Sequence, residues 1–436
     1  VLFLVPLLAG LLSIDSRASS ESSAQRFDSE AYRWAQGRMI DTVYVHGNTR
    51  VKSVAIQREL ESRKGGRINA NAIERDQRYV ADLSPFATVA IHVEPVGADN
   101  CVLHVVVTER PTLLLNLIYP VLDYDINTER LVYGLKWYDR NFRRRLESFS
   151  LDAKRDNRDN ESASASWSTA WIGWKHIGTG ANVAYFKRQE ASSQPGIIEQ
   201  ARAGLSLSLP LTESRIAFSQ MIFGLGTAHN RLGVSGQQSE DENLISPSVG
   251  FRFDDRYGSI KPRRGAYFYV NALANKVING QQQAYYRVDN DIRYFIPLDE
   301  TTVLGLHSLA NIQLGEYPDY IRYGIGGANT IRGYERSDFR SAHRWVQSLE
   351  LRIMPWPKML YRVPFLGITD FQFGLVAFVD TGIGWTTPGE FNYDNFHSGF
   401  GLGLRLFSPV QDVLRVDVAS GARGGLRPYF TAGSNF

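Results

Sequence analysis

The chain has 436 residues, with 48 Lys and Arg against 45 Asp and Glu and a formal net charge of +3. So even a balance gives no electrostatic footprint for nucleic acid, and a single cysteine excludes an internal disulfide, Cys-rich zinc sites and CxxC redox chemistry. The 43% apolar content, with 12% aromatics, is that of a folded protein.

Val1–Leu12 is the longest apolar run, and nothing after it approaches the ~18 apolar residues that a membrane-crossing helix requires. With Ser16 and Ala18, or Ser22 and Ala24, behind it as small cleavage residues, it predicts a secretory signal over 1–24. Residues 25–38 follow as a linker, with a helical turn around Ser29–Gln36.

Residues 39–111 then predict one small α/β unit of order βααββ. Ile40, Val43 and Val45 alternate in a strand that ends at Gly47-Asn48. Val54, Ile56 and Leu60 share one side of a helix, and Ile73, Tyr79, Val80 and Leu83 one side of a second. Phe86–Pro95 and Cys101–Pro111 alternate as two more strands. A three-stranded sheet under two helices leaves an unpaired edge, which can accept an extended peptide through main-chain hydrogen bonds. Val89, Ile91, Val105 and Val107 are the residues expected to receive it.

From Thr112 the texture changes to short strands and frequent turns. Tyr286, Val288, Ile292 and Tyr294 alternate with Arg287, Asp289, Asp291 and Arg293, and Leu349, Leu351 and Ile353 with Ser348, Glu350 and Arg352. Phe400, Leu402 and Leu404 alternate likewise with Gly401, Gly403 and Arg405. Aliphatic and aromatic groups on one side with charges on the other are the pattern of a barrel that faces lipid outside and water within. Leu349, Leu351, Leu402 and Leu404 should therefore meet lipid, and Glu350, Arg352, Arg405 and Asp417 should line the lumen. Eleven strands are countable up to Tyr323 and five more from His343. The fold class is thus mainly β: a sixteen-stranded antiparallel transmembrane barrel over 112–436, preceded by the small α/β unit.

The connections form two alternating sets. One carries Pro210, Pro262, Pro297, Pro355, Pro357 and Pro409; the other carries the long segments, including Gly315–Ala342. The first strand presents Leu113, Leu115, Leu117 and Tyr119, and the last Tyr429, Phe430 and Phe436. Pro428 interrupts the last strand and cannot donate to a ladder, so the seam between the two should be weak.

Searches for catalytic patterns find no HExxH, GxSxG or Walker-type GxxxxGK, and no GxGxxG that opens a helix. Gly399, Gly401 and Gly403 alternate along a strand, where they let neighbouring side chains pack into the lumen. The eight histidines are scattered without metal-ligand spacing. No enzyme, cofactor or metal is expected.

The loop Gly315–Ala342 is centred on Gly326-Gly327-Ala328-Asn329-Thr330-Ile331-Arg332-Gly333-Tyr334, and long loops of this kind are usually functional. Its Ile331-Arg332-Gly333-Tyr334 resembles the (V/I)RG(Y/F) signature of the BamA/TamA-type outer-membrane assembly superfamily, whose members join periplasmic POTRA domains to a sixteen-stranded barrel. Residues 39–111 resemble a POTRA domain in Gly47, in the spacing Asp76, Leu83, Phe86, Val89, and in the closing Glu109-Arg110-Pro111. Phe253-Asp254-Asp255-Arg256 leading to Pro262-Arg263-Arg264-Gly265 is similar to a turn of that family. Phe378-Val379-Asp380-Thr381-Gly382 is similar to its FxDxG strand, Gly399–Pro409 to its GxGxR segment, and Phe436 to its aromatic end.

The resemblance implies a non-enzymatic protein of the bacterial outer membrane, with the POTRA domain in the periplasm. Its partners would be unfolded outer-membrane or secreted polypeptides, the lipid bilayer, and periplasmic chaperones or accessory lipoproteins. Such a protein inserts barrels or translocates polypeptides. The alternatives are a dedicated translocator for one client and, in another class, a passive pore. The resemblance also places Arg332 against the aspartate and aromatic of FxDxG. Arg332 should then fold back into the lumen to meet Glu350 and Asp380 over the face of Phe378, flanked by Ile331, Gly333 and Tyr334. The single POTRA-like unit departs from the several that general assembly proteins carry, which leaves the client open.

Overall fold

The computed structural model describes residues 29–436 apart from 84, 111–115, 126–128, 191–195, 213–217, 235–239, 257–261, 280–283, 358, 364–366, 409–411, 423 and 433–436; at some strand margins it describes backbone alone. The signal over 1–24, Leu113, Leu115 and Phe436 lie outside the described residues, as do the side chains of Leu117 and Tyr119.

Strands β1 (Met39–His46), β2 (Phe86–Val96) and β3 (Asn100–Glu109) form one sheet in the order β1-β3-β2, with β1 parallel and β2 antiparallel to β3. The helices Ser53–Gln57 and Ala70–Asp82 lie between β1 and β2 in the chain. Asn69 caps the second helix, its side chain accepting from the amides of Asn71 and Ala72. Ile40, Ile56, Leu60, Ile73, Val80, Phe86, Ile91, Cys101, Leu103 and Val105 make one buried core. Two polar clamps close the unit. Asp76 accepts from the amides of Glu61 (2.6 Å) and Ser62 (2.9 Å). Glu109 accepts from the Arg50 and Val51 amides and the Thr49 hydroxyl, which ties the turn after β1 to the end of β3.

This arrangement corrects the expected docking edge. β3 is the central strand, paired on both sides, so Val105 and Val107 are on no edge. Val89, Ile91, Val105 and Val107 all point into the core and are buried; alternation put them on one face, and that face is the one the helices cover. The edges of the sheet are β1 and β2.

From Asn116 onward the chain is antiparallel sheet. Eleven strands come first: Asn116–Asp125, Arg130–Phe142, Glu147–Asp156, Glu161–Thr169, Gly178–Glu190, Gly196–Pro210, Phe218–Val234, Glu240–Asp254, Gly265–Val277, Tyr285–Pro297 and Thr302–Gly315. Then follow His343–Ile353, Met359–Val363, Gly367–Trp385, His397–Ser408, Asp412–Gly421 and Arg427–Ala432. The sheet curves round in chain order until Arg427–Ala432 lies beside Asn116–Asp125. His343–Ile353 and Met359–Val363 both pair with Gly367–Trp385, one after the other along its length. Pro355 and Pro357 lie between these two segments, so they interrupt a strand rather than mark the turn expected of them.

The two faces of this sheet differ as a membrane barrel requires. On Glu147–Asp156 and Glu161–Thr169, Leu151, Ala163, Ala165 and Trp167 alternate with Ser150, Ser162, Ser164 and Ser166, and Ser150 hydrogen-bonds Ser166 across the strands. Leu205, Phe400, Leu402 and Leu404 stand out from the outer face, each more than half exposed, and Leu349 is also exposed. Glu350, Arg405 and Asp417 are buried on the other side. No helix among the described residues is long and apolar enough to cross a membrane.

The α/β unit sits on the end of the sheet opposite the long loop that follows Thr302–Gly315. Arg144 donates to the carbonyl oxygens of Arg50 (2.9 Å) and Thr49 (2.7 Å), and Lys52 donates its amide to Arg144 O. The indole of Trp171 donates to Glu59 at 2.6 Å in a buried contact. Arg143, Arg144 and Leu146 all adopt positive φ, a costly backbone for residues with side chains, and it aims the Arg144 fork at the unit.

Candidate functional site

The loop 316–342 leaves one strand end, makes a turn at Asp319–Ile321, runs out and back through the short pair Tyr323–Ile325 and Phe339–Ser341, and carries its tip into the barrel. Within the tip the Gly326 amide donates to the Thr330 hydroxyl (2.8 Å) and the Gly327 amide to Ile331 O (3.1 Å). This tight turn presents Ile331, Arg332 and Tyr334 to the wall, where all three are at most 1% exposed.

Arg332 is the centre. Its Nε donates to Asp380 Oδ2 (2.7 Å) and its Nη2 to Asp380 Oδ1 (2.8 Å), a bidentate fork, while its backbone amide meets the same carboxylate at 3.0 Å. Nη1 donates to Glu350 (2.9 Å) and, longer, to Asp417 (3.4 Å); Nη2 also reaches Ser348 Oγ (3.2 Å). The guanidinium carbon lies 3.3 Å from the centroid of the Phe378 ring, stacked as a planar cation can be. Burial alone would favour loss of the charge. The bonds to Asp380, with the charges of Asp380, Glu350 and Asp417, outweigh that and lift the Arg332 pKa above the ordinary guanidinium value.

Glycines make the notch. Gly333 has φ +99°, and a Cβ there would collide with the backbone of Ser420 and Gly421. On the strand His397–Ser408, a Cβ at Gly399 would collide with the Arg332 carbonyl, one at Gly401 with the Phe378 ring, and one at Gly403 with the Asp417 carboxylate. The Gly399-x-Gly401-x-Gly403 alternation is therefore the floor on which the loop tip and its acidic partners rest.

Tyr429 stands on the last strand, as expected, but it does not face outward from the seam. It is buried, and its hydroxyl accepts from the Gly333 amide (2.8 Å) and donates to Tyr334 O (2.7 Å). The reason is strand parity: Tyr429 faces inward, whereas its neighbour Phe430 faces out and is exposed. The loop tip thus touches the last strand. Tyr334 completes the contact, its hydroxyl donating to Ser398 O and accepting from the Ala422 amide, both at 3.2 Å. No sequence motif marks Ser348, Tyr429 or Gly421 as a loop partner, and alternation marks Asp417 only as a lumen residue. Their signal is register, since Ser348 lies opposite Asp380, and Gly403 opposite Asp417.

The same loop has a second tether. Tyr320 donates its hydroxyl to Glu242 (2.7 Å) and accepts from Asn230 (2.8 Å), whose own Oδ1 accepts from Gln200; Arg188 donates to Tyr320 O (2.9 Å). These partners belong to the strands between Gly178 and Asp254, so the loop bridges the far wall to the strands around Arg332. Tyr320→Phe should leave Glu242 and Asn230 short of a partner and cost about 1–3 kcal/mol. Limited proteolysis of the folded protein in detergent micelles should then cut between Tyr317 and Tyr323 faster than in the parent, and equal rates would contradict the tether.

The sequence profile of the Omp85 superfamily domain matches residues 141–436. No curated protein sequence matches the chain. Among solved structures, BamA from Haemophilus ducreyi lacking POTRA domains 1–3 is similar at 16% identity and TM-score 0.57, covering 91% of this chain and 83% of that one. CdiB from Acinetobacter baumannii (15% identity, TM-score 0.62) covers 91% and 74%. CdiB from Escherichia coli (13%, TM-score 0.63) covers 91% and 76%.

Proposed function

The chain belongs to the Omp85 superfamily, and from that membership we propose that it is a non-enzymatic protein of the bacterial outer membrane that inserts β-barrel proteins into the membrane or moves polypeptides across it. The observation that carries this reading is the buried Arg332 latch: a loop fixed by three carboxylates and by Tyr429 of the last strand couples the lumen to the place where a client strand would enter.

On this reading the barrel has sixteen staves, His343–Ile353 and Met359–Val363 counting as one. Residues 39–111 are a POTRA domain held in the periplasm, a reading supported by the βααββ order and by the clamps of Asp76 and Glu109. The client dock narrows to the main chain of β2, an edge strand, and excludes the buried side chains of Val89, Ile91, Val105 and Val107. The lateral seam lies between Asn116–Asp125 and Arg427–Ala432. The latter has six described residues, and Pro428 stands within it. Pro428 cannot donate to a ladder, and the strand it interrupts is the natural place to part.

Depleting the protein and quantifying the outer-membrane proteome tests the reading. Loss of many barrels supports insertion, and loss of one secreted polypeptide supports a dedicated translocator. An unchanged proteome, with a steady high conductance in planar bilayers, would contradict both and leave a passive pore.

A further inference from the structure

At the latch, the loop tip and the inner wall together hold, among the described residues, four guanidinium groups, those of Arg332, Arg352, Arg405 and Arg415, against three carboxylates, those of Glu350, Asp380 and Asp417. The carboxylates are all engaged: Asp380 by Arg332, Glu350 by Arg332 and Arg352, Asp417 by Arg405 and Arg332. Arg415 keeps one hydrogen bond, from Nη2 to Asn329 Oδ1 at 2.8 Å. Among the described residues its Nε and Nη1 have no acceptor, although only 3% of the residue is exposed.

Arg415 does not stand alone. Its cross-strand partners are Arg405 on one side and Thr431 on the other. Arg405 Nη2 and Thr431 Oγ1 are also buried without a hydrogen-bond partner among the described residues, the former 3.5 Å from Glu350 as an ion pair only. Three adjacent strands thus aim unsatisfied donors from one row, and Asn329, which covers Arg415, is exposed. A charge taken out of water without a partner is strongly disfavoured, and the excess here is one positive charge.

We propose that Arg405, Arg415 and Thr431 form a binding site for a single-charged anion, and specifically for a carboxylate, reached past Asn329 and lying next to the last strand. A carboxylate matches the charge count, and its two oxygens supply acceptors to donors on neighbouring strands. The site stands on these orphaned donors and does not depend on the insertion or translocation reading above.

The test uses the full chain in detergent micelles, with folding checked by heat-modifiable gel mobility and sodium acetate as the probe in calorimetric titration. The parent should bind acetate saturably. Arg415→Gln should weaken that binding about tenfold or more, the loss of a charged hydrogen-bond partner. Thr431→Val, which keeps every charge, should weaken it several-fold and carries the test if Arg415→Gln does not fold. Non-saturable heats, or equal affinity in the parent and a folded variant, would overturn the site. Chloride competing as strongly as acetate would overturn the carboxylate assignment.

Discussion

Arg332→Ala should free the loop 316–342 and abolish most activity. The substitution leaves Asp380 buried without its cation, whereas Glu350 keeps Arg352 and Asp417 keeps Arg405. Removing one partner of a buried pair costs about 3–5 kcal/mol, because the remaining charge stays buried and unpaired. The lumen wall here is dry enough for that figure to apply, since Arg332 and Asp380 are both fully buried. The Tyr320 tether would persist, so new protease cuts should cluster in 326–340 rather than across the whole loop. Arg332→Lys should rescue little, because an ammonium can supply neither the fork to Asp380 nor the flat contact with Phe378. Asp380→Ala should give the same loop phenotype, and the double variant should be no worse than the more severe single one. Additive damage, or a loop equally protected in all of them, would refute the contact.

Leu205→Arg should block assembly of the barrel, while Ser206→Arg, one residue along the same strand, should be tolerated. Leu205 is 64% exposed on the outer face, and Ser206 faces inward beside Gly180. An arginine among the lipid tails of such a barrel costs about 2–4 kcal/mol near mid-membrane and far less in the lumen. The fraction of heat-modifiable protein in purified membranes measures the difference. Equal damage from both would mean the pleat is assigned one residue out of register. Arg405 is a poor control for this purpose: it is buried and paired with Asp417, so Arg405→Leu should be damaging for reasons unrelated to lipid.

Much of this was legible in the sequence because period-two alternation is a direct consequence of the pleat. It placed Leu402 outward and Glu350 inward without any tertiary information. The same rule misled for the α/β unit. Val89, Ile91, Val105 and Val107 alternate correctly, but alternation does not say which face the helices cover or which strand is central. A βααββ order is compatible with several strand orders, and only the parallel pairing of β1 with β3 puts β3 in the middle. The loop latch was readable in part. Arg332, Asp380 and Phe378 carry local motifs, whereas Ser348 and Tyr429 are ordinary residues whose roles arise from register between distant strands. Tyr429 shows the limit most clearly: its place on the last strand is legible, but a one-residue parity decides whether it faces out or meets the loop.

Reconstitution tests the central claim most directly. The purified protein in liposomes would be offered urea-denatured outer-membrane proteins extracted from the same membranes, and their conversion to heat-modifiable, protease-resistant barrels, or their protected entry into the vesicle, would be followed in time. The account predicts that the parent accelerates one of these conversions well above empty liposomes and that Arg332→Ala, inserted to the same level, does not. Conversion and uptake no faster than in empty liposomes, with the parent folded and correctly oriented, would contradict it.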